Sequence, residues 1–309
     1  MTLEFAFGDP GRADNGILGT GLPLLRGAPR ETIAESMEPA GTHGGFRLWR
    51  SEGCIVGFAC SGAGAGLENA ARVLYADLMS CVGKAKLCRI WNIVPHINRV
   101  APGGLENYQA FCKGRSLAFE SAFGRGYTQR LPAASAIGTR ADSLTVAFLA
   151  GIWPTRHFEN PSQVPAYEYP SEHGPRPPSF ARATLASTPE ELKTFISGTS
   201  AVVGHETFAP HDTARQLDCT FENLRLISRA AGLGDKMGDG SGVQRHFKVY
   251  LRHAAELETV AHRVERGLLQ PGDRVTYLEA DICREALNVE IEAMVRAPAG
   301  RLSVGAARS

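Results

Sequence analysis

The chain has 309 residues, 43% of them hydrophobic and 21% charged, with a formal net charge of +1. That length and apolar content suffice for about two domains of ordinary size. The near-neutral balance, with no Lys/Arg run longer than two residues, argues against nucleic acid as a partner. No apolar stretch of about 18 residues is present to span a bilayer, and Met1-Thr2-Leu3-Glu4-Phe5 has neither a basic nor an apolar leader region. The seven cysteines (54, 60, 81, 88, 112, 219 and 283) include no Cys-x-x-Cys pair, so reduced thiols in a cytoplasmic protein are expected rather than disulfides or a zinc site.

Residues 1–45 are rich in Gly and Pro with weak periodicity, which predicts an irregular segment with short strands; Arg47 to Ala59 is strand-like. Ser61-Gly62-Ala63-Gly64-Ala65-Gly66 then lies between a strand and a helix. The third glycine of a G-x-G-x-x-G loop would fall at Leu67, so a tight turn is expected, not a dinucleotide site. Ala70–Met79 and Leu105–Phe119 carry apolar residues at helical spacing, and Leu87-Cys88-Arg89-Ile90-Trp91-Asn92 reads as a strand. Residues 154–179 hold seven prolines, which rules out a buried regular element. With Tyr167, Tyr169, Arg176, Phe180 and Arg182 in and just after it, the segment reads as a functional loop.

Further on, Ser197-Gly198-Thr199-Ser200 reads as a glycine-containing turn after a strand, because the G-x-S-x-G of a nucleophile elbow is absent. His205-Glu206 and His211-Asp212 lack H-E-x-x-H spacing, so hydrogen-bonding roles are preferred and no metal is expected. Leu224–Ala231 and Leu257–Leu268 are helical, and His246-Phe247-Lys248-Val249-Tyr250-Leu251 is a strand.

These elements recur. Residues 66–150 and 219–293 read as one unit written twice, each running strand, helix, strand, helix, strand, which fits a sheet with helices on one face. Leu67-Glu68-Asn69 matches Phe221-Glu222-Asn223, and Leu144-Thr145-Val146-Ala147-Phe148 matches Leu287-Asn288-Val289-Glu290-Ile291. Ala147 therefore faces Glu290, a carboxylate present in one copy only. Strand alternation puts Val289 and Ile291 on one face and Asn288, Glu290 and Glu292 on the other. On pattern alone that second face looks toward solvent; a carboxyl in a cleft would instead be held protonated and serve as a general acid. Cys283, taken alone, reads as an apolar filler.

Trp91-Asn92-x-x-Pro95-x-Ile97-Asn98, Tyr108-x-x-Phe111-x-x-Gly114-Arg115, Leu131-Pro132-Ala133-Ala134-Ser135-Ala136-Ile137-Gly138 and Glu159-Asn160-Pro161 form an ordered series. It continues through Ala166-Tyr167-x-Tyr169-Pro170, Gly174-Pro175-Arg176-x-Pro178-Ser179-Phe180-x-Arg182-Ala183, Ser197-Gly198-Thr199, Val203-Gly204-His205-Glu206, Asp281-Ile282-Cys283-Arg284 and Glu290-Ile291-Glu292. Over roughly residues 85–293 this series resembles the chorismatase family. The resemblance implies an α/β (α+β) fold of two YjgF-like units, each a mixed sheet with helices on one face, in a pseudo-trimer-like core. The expected divisions are residues 1–153, a proline-rich connection over 154–182, and a second unit over 183–309.

The resemblance further implies a cofactor-free enzyme, a monomer or small homo-oligomer, that cleaves the enolpyruvyl ether of chorismate and releases pyruvate. Glu290 matches the family's catalytic glutamate, which would protonate the terminal methylene carbon. Arg115, Arg176 and Arg182 are candidate clamps for the substrate carboxylates, with Tyr108 and Tyr169 as hydroxyl donors. A cysteine at position 283 resembles the type that forms 3-hydroxybenzoate, where it would shape the pocket or assist proton transfer; the alternative product is a dihydroxycyclohexadiene carboxylate. Two other readings stand beside it: a YjgF-like imine-hydrolysing deaminase, with Arg274 on the substrate carboxylate, and a non-catalytic module that binds small aromatic acids. Two positions depart from the family pattern. Ser200 stands where Ala or Gly is usual and is expected to hold a water or alter the product, and Ile93 replaces a common aromatic that would line the pocket wall.

Overall fold

The computed structural model describes residues 1–299 apart from 9–11, 63, 65 and 239–241. The chain opens with short strands, β1 (Leu3–Ala6), β2 (Ala13–Asp14), β3 (Ile17–Gly19), β4 (Leu24–Gly27), β5 (Arg30–Ala34) and β6 (Glu38–His43). The first unit follows as β7 (Phe46–Arg50), β8 (Cys54–Gly62), α1 (Leu67–Val82), β9 (Lys86–Pro95), α2 (Asn107–Phe123), β10 (Ala133–Thr139) and β11 (Ser143–Gly151). The second comprises β12 (Thr155–Phe158), β13 (Ala183–Ser187), β14 (Glu191–Thr199), the hairpin β15 (Val202–Val203) and β16 (Glu206–Thr207), α3 (Thr213–Ala230), β17 (Gln244–Leu251), α4 (Leu257–Gly267), β18 (Arg274–Glu279) and β19 (Val289–Pro298). The glycine-rich turn expected after β8 falls partly on residues 63 and 65, and the end of the second unit on 300–309, both outside the described residues.

The duplication is visible in the topology. One sheet runs β10-β9-β11-β8-β7-β6 and the other, read from the far edge, β18-β17-β19-β14-β13-β12. In each, one parallel pair (β9 with β10, β17 with β18) sits beside antiparallel neighbours. A parallel pair needs a crossover, and α2 and α4 supply it. The register also bears out the internal alignment: Trp91 pairs with Ala147 and its counterpart Tyr250 with Glu290.

Two divisions differ from the expected boundaries. β4, from the N-terminal segment, extends the second sheet beyond β18. β12, inside the 154–182 connection, forms that sheet's other edge; its four residues precede the prolines at 161 onward, and it pairs on one side only.

Three apolar clusters hold the layers. α1 and α2 pack on the first sheet through Leu74, Tyr75, Leu78, Phe111 and Phe119. The helices approach closely at Gly114, where a Cβ would overlap the Glu68 carbonyl. α3 and α4 pack on the second sheet through Leu224, Ile227, Val260, Val264, Val289 and Ile291. Between the sheets lies a third cluster with Phe5, Trp91, Phe195 and Tyr250. The second sheet is thus covered on both faces. β19 has no solvent face, and its polar alternates, Glu290 and Glu292, point into the layer between the sheets. Ile93 is also in this layer, where it lines a small cavity with Phe5, Trp91 and Tyr250.

Candidate functional site

Glu290 and Glu292 are two residues apart on one strand, 4% and 3% exposed, and carry opposite electrostatic environments. Glu292 receives Arg89 Nη2 at 2.7 Å, Lys248 Nζ at 2.7 Å and Trp91 Nε1 at 3.0 Å, with the Ser135 hydroxyl also bonded to it. Arg89 and Lys248 are equivalent positions of the two copies, so both units grip the same carboxylate. Although burial opposes its charge, these cations hold Glu292 down at about 2. Among the described residues Glu290 has only the Ser200 hydroxyl, which donates to Oε2 at 3.2 Å. Burial first, and the neighbouring Glu292 charge second, push it up to about 8. A pair of carboxyls driven apart in this way leaves one able to give up a proton near neutral pH while the other stays a fixed negative charge.

Local backbone makes room for Glu290. Between Ile196 and Thr199 the β14 ladder with β19 takes one extra residue, a bulge at Ser197-Gly198. A Cβ at Gly198 would overlap Glu290 Oε1. The bulge is stitched to the first unit: Ala134 N donates to Ser197 Oγ at 2.9 Å, and Gly198 N to Ser135 Oγ at 3.1 Å. The turn expected at Ser197–Ser200 is therefore a bulge within the end of a strand.

Glu290 forms the floor of a cleft of about 210 Å³. Six of the eight residues expected at the site line it: Tyr108, Tyr169, Arg182, Ser200, Cys283 and Glu290. Arg182 is buried, lies against the Phe180 ring with 5.0 Å from guanidinium to centroid, and donates to Tyr169 Oη at 2.7 Å; its Nε–H has no partner. Arg284, which the residue pattern did not single out as a ligand, faces Tyr169 at 5.4 Å. Neither arginine forms an ion pair within 4 Å among the described residues. Two unneutralised guanidiniums in one cleft make an anion site. Glu159 lies beside Arg182 and is itself pushed to about 7 by burial.

The Cys283 thiol is pushed to about 12, by burial and then by Glu290, so it is a neutral thiol and not a thiolate nucleophile. Its loop is pinned by Arg252, whose guanidinium reaches Asp281 Oδ1 at 2.7 Å and the carbonyls of Leu287, Arg284 and Ile282 at 2.8, 3.0 and 3.2 Å.

Arg115 and Arg176 are not brought to the cleft. Arg115 is buried behind it, stacked on Tyr75 and Phe111 at 5.4 and 5.7 Å, and donates to the Ser179 carbonyl. Arg176 pairs with Glu120 on α2 at 2.8 Å, partly exposed. Both tie the proline-rich segment to α2 and so support the cleft wall. Asp212, weighed with His211, caps α3 by accepting from Arg215 N at 3.1 Å.

Residues 33–150 match the family model described as chorismatase FkbO/Hyg5-like, N-terminal. A chorismatase of Streptomyces rapamycinicus is 34% identical over 301 residues, 89% of either chain. The chain belongs to the chorismatase family. Another relative, a 3-hydroxybenzoate synthase of Streptomyces hygroscopicus, is 38% identical over 235 residues, 74% of this chain and 68% of that protein. A crystal structure of a chorismatase superposes with a TM-score of 0.78 at 29% identity, covering 95% of this chain and 92% of the other. In this chorismatase-family chain the residues that sequence reasoning passed over are Arg284 and Glu292. Both stand inside quoted motifs, beside Cys283 and Glu290, and a search for charges flanking a candidate acid would have found them.

Proposed function

We propose that this chorismate-converting enzyme cleaves the enolpyruvyl ether of chorismate by protonating its terminal methylene carbon from Glu290, and forms 3-hydroxybenzoate and pyruvate. The observation that carries the reading is a buried carboxyl held protonated near neutral pH at the floor of a cleft with two free arginines. Protonating the methylene carbon needs a positioned acid that is still protonated at the working pH; dry surroundings keep the proton on Glu290 until the substrate takes it. Protonation leaves an oxocarbenium ion, and the ionised Glu290 beside it supplies the opposing charge. Arg182 and Arg284 suit the two substrate carboxylates, with Tyr169 and Tyr108 as hydroxyl donors. Together, 3-hydroxybenzoate and pyruvate contain the same atoms as chorismate, so this route consumes no water and needs no redox partner. The diol route consumes one water molecule.

The 3-hydroxybenzoate product is supported by the neutral Cys283 thiol in the cleft and by the similarity to a 3-hydroxybenzoate synthase. Ser200 bonds Glu290 itself, which gives it an influence on the acid and not only on a water. An imine-hydrolysing deaminase would use Arg274 for its substrate carboxylate, but that residue is exposed at the start of β18 and does not line the cleft. The test is incubation of the purified chain with chorismate, without added metal or nucleotide, and identification of the products. 3-Hydroxybenzoate with equimolar pyruvate is expected. Diene diol with pyruvate would overturn the product assignment, and no pyruvate at all would overturn the reaction.

A further inference from the structure

The same cleft that Glu290, Arg182 and Arg284 line carries a second cluster at its mouth. The proline-rich segment presents Glu172 and His173 on one lip, and the turn between β15 and β16 presents His205 on the other. His173 Nε2 and His205 Nδ1 are 3.0 Å apart, and Glu172 Oε1 lies 3.6 and 3.5 Å from them. Glu206 Oε1, 3.3 Å from His205 Nδ1, adds a second carboxylate.

We propose that Glu172, His173 and His205 bind a divalent transition-metal ion of the Zn²⁺ class and so tie the two lips of the cleft mouth together. Metal–nitrogen and metal–oxygen bonds of about 2.0–2.2 Å place neighbouring ligand atoms about 3.0–3.5 Å apart. The observed triangle of 3.0, 3.5 and 3.6 Å already has those edges. Two imidazoles and one carboxylate on one face are the donor set of Zn²⁺, Co²⁺ or Fe²⁺, and are too poor in oxygen for Mg²⁺ or Ca²⁺. The Tyr169 ring, which Arg284 also faces, borders both histidines. No sequence motif signals the site, because its ligands lie 32 residues apart in the chain and meet only when the hairpin folds against the proline-rich segment.

The experiment is calorimetric titration of the chelator-stripped full chain with ZnCl₂, beside a Co²⁺ titration followed by absorbance. One equivalent of Zn²⁺ is expected, with a raised melting temperature. Co²⁺ is expected to show ligand-field bands without the charge-transfer band of a thiolate, which separates this site from the free cysteines. His173→Ala and His205→Ala should each weaken binding at least about tenfold, while His262→Ala, on the exposed face of α4, should not change it. No heat and no thermal shift with ZnCl₂ in excess would reduce the pair to a histidine–histidine hydrogen bond and overturn the proposal. Undiminished binding in the His173→Ala/His205→Ala double variant, or a thiolate band with Co²⁺, would overturn it as well. These readouts do not depend on turnover, so they stand apart from any failure of the proposed reaction.

Discussion

At the scale of single residues the proposed chemistry rests on Glu290 and Ser200. Only the protonated carboxyl can donate, so kcat/KM is expected to fall as pH rises through about 8, where Glu290 ionises. The Ser200 hydroxyl stabilises the ionised form and draws Glu290 downward. Ser200→Ala should therefore move the alkaline limb of the pH–rate profile to higher pH. A limb that stays in place or moves lower would show that Ser200 does not govern the acid. The departure at position 200, visible in the sequence as a hydroxyl where small apolar residues are usual, thus touches the proposed proton donor directly. The departure at Ile93 does not reach the cleft, because strand alternation sends that side chain into the layer between the sheets.

Elements, rather than residues, explain why two expected arginine ligands serve another purpose. A guanidinium in a quoted motif looks the same whether it binds substrate or holds a wall; only packing separates the cases. Arg115 fixes α2 to Ser179 from a buried position over aromatic rings, whereas Arg176 and Glu120 form a half-exposed pair. Arg115→Ala is expected to cost about 2–4 kcal/mol of stability through the lost hydrogen bond and the cavity left behind. Arg176→Ala should cost less than about 1 kcal/mol. Urea unfolding of the two variants measures the contrast, and equal effects would refute this division of roles. The four helices were legible from apolar spacing to within a few residues except α3, which begins eleven residues before the expected Leu224. Its first turns carry Arg215, Gln216, Asp218 and Thr220; Gln216 is buried through bonds to the Ala209 and Ala286 carbonyls and Thr220 is buried as well, so hydrophobic periodicity is weak there.

For the whole molecule, the duplication read from sequence is the organising fact, and the strand register carries it down to the equivalence of Ala147, paired with Trp91, and Glu290, paired with Tyr250. What the pattern alone did not reveal is that two sheets face each other, so a polar alternation that looks outward lies inside. That arrangement has a thermodynamic signature. Glu290 is raised from its usual 4.5 to about 8, so between those values the native state holds a proton that the unfolded chain has lost, and stability falls as pH rises. Glu292 is lowered from 4.5 to about 2; its contribution is present above 4.5 and is lost as pH falls toward 2. Urea midpoints should therefore drop from about pH 5 to about pH 8 in the native chain, and Glu290→Gln should flatten that drop. An equally steep drop in the variant would place the titration elsewhere.

Pyruvate release from chorismate by the native chain and by Glu290→Gln tests the central claim most directly. The variant keeps the shape of the side chain but has no carboxyl proton to give. Its kcat is expected to fall by about a hundredfold or more, with folding verified by an unchanged cooperative melt. Native-level pyruvate release by a folded Glu290→Gln would contradict the assignment of Glu290 as the acid.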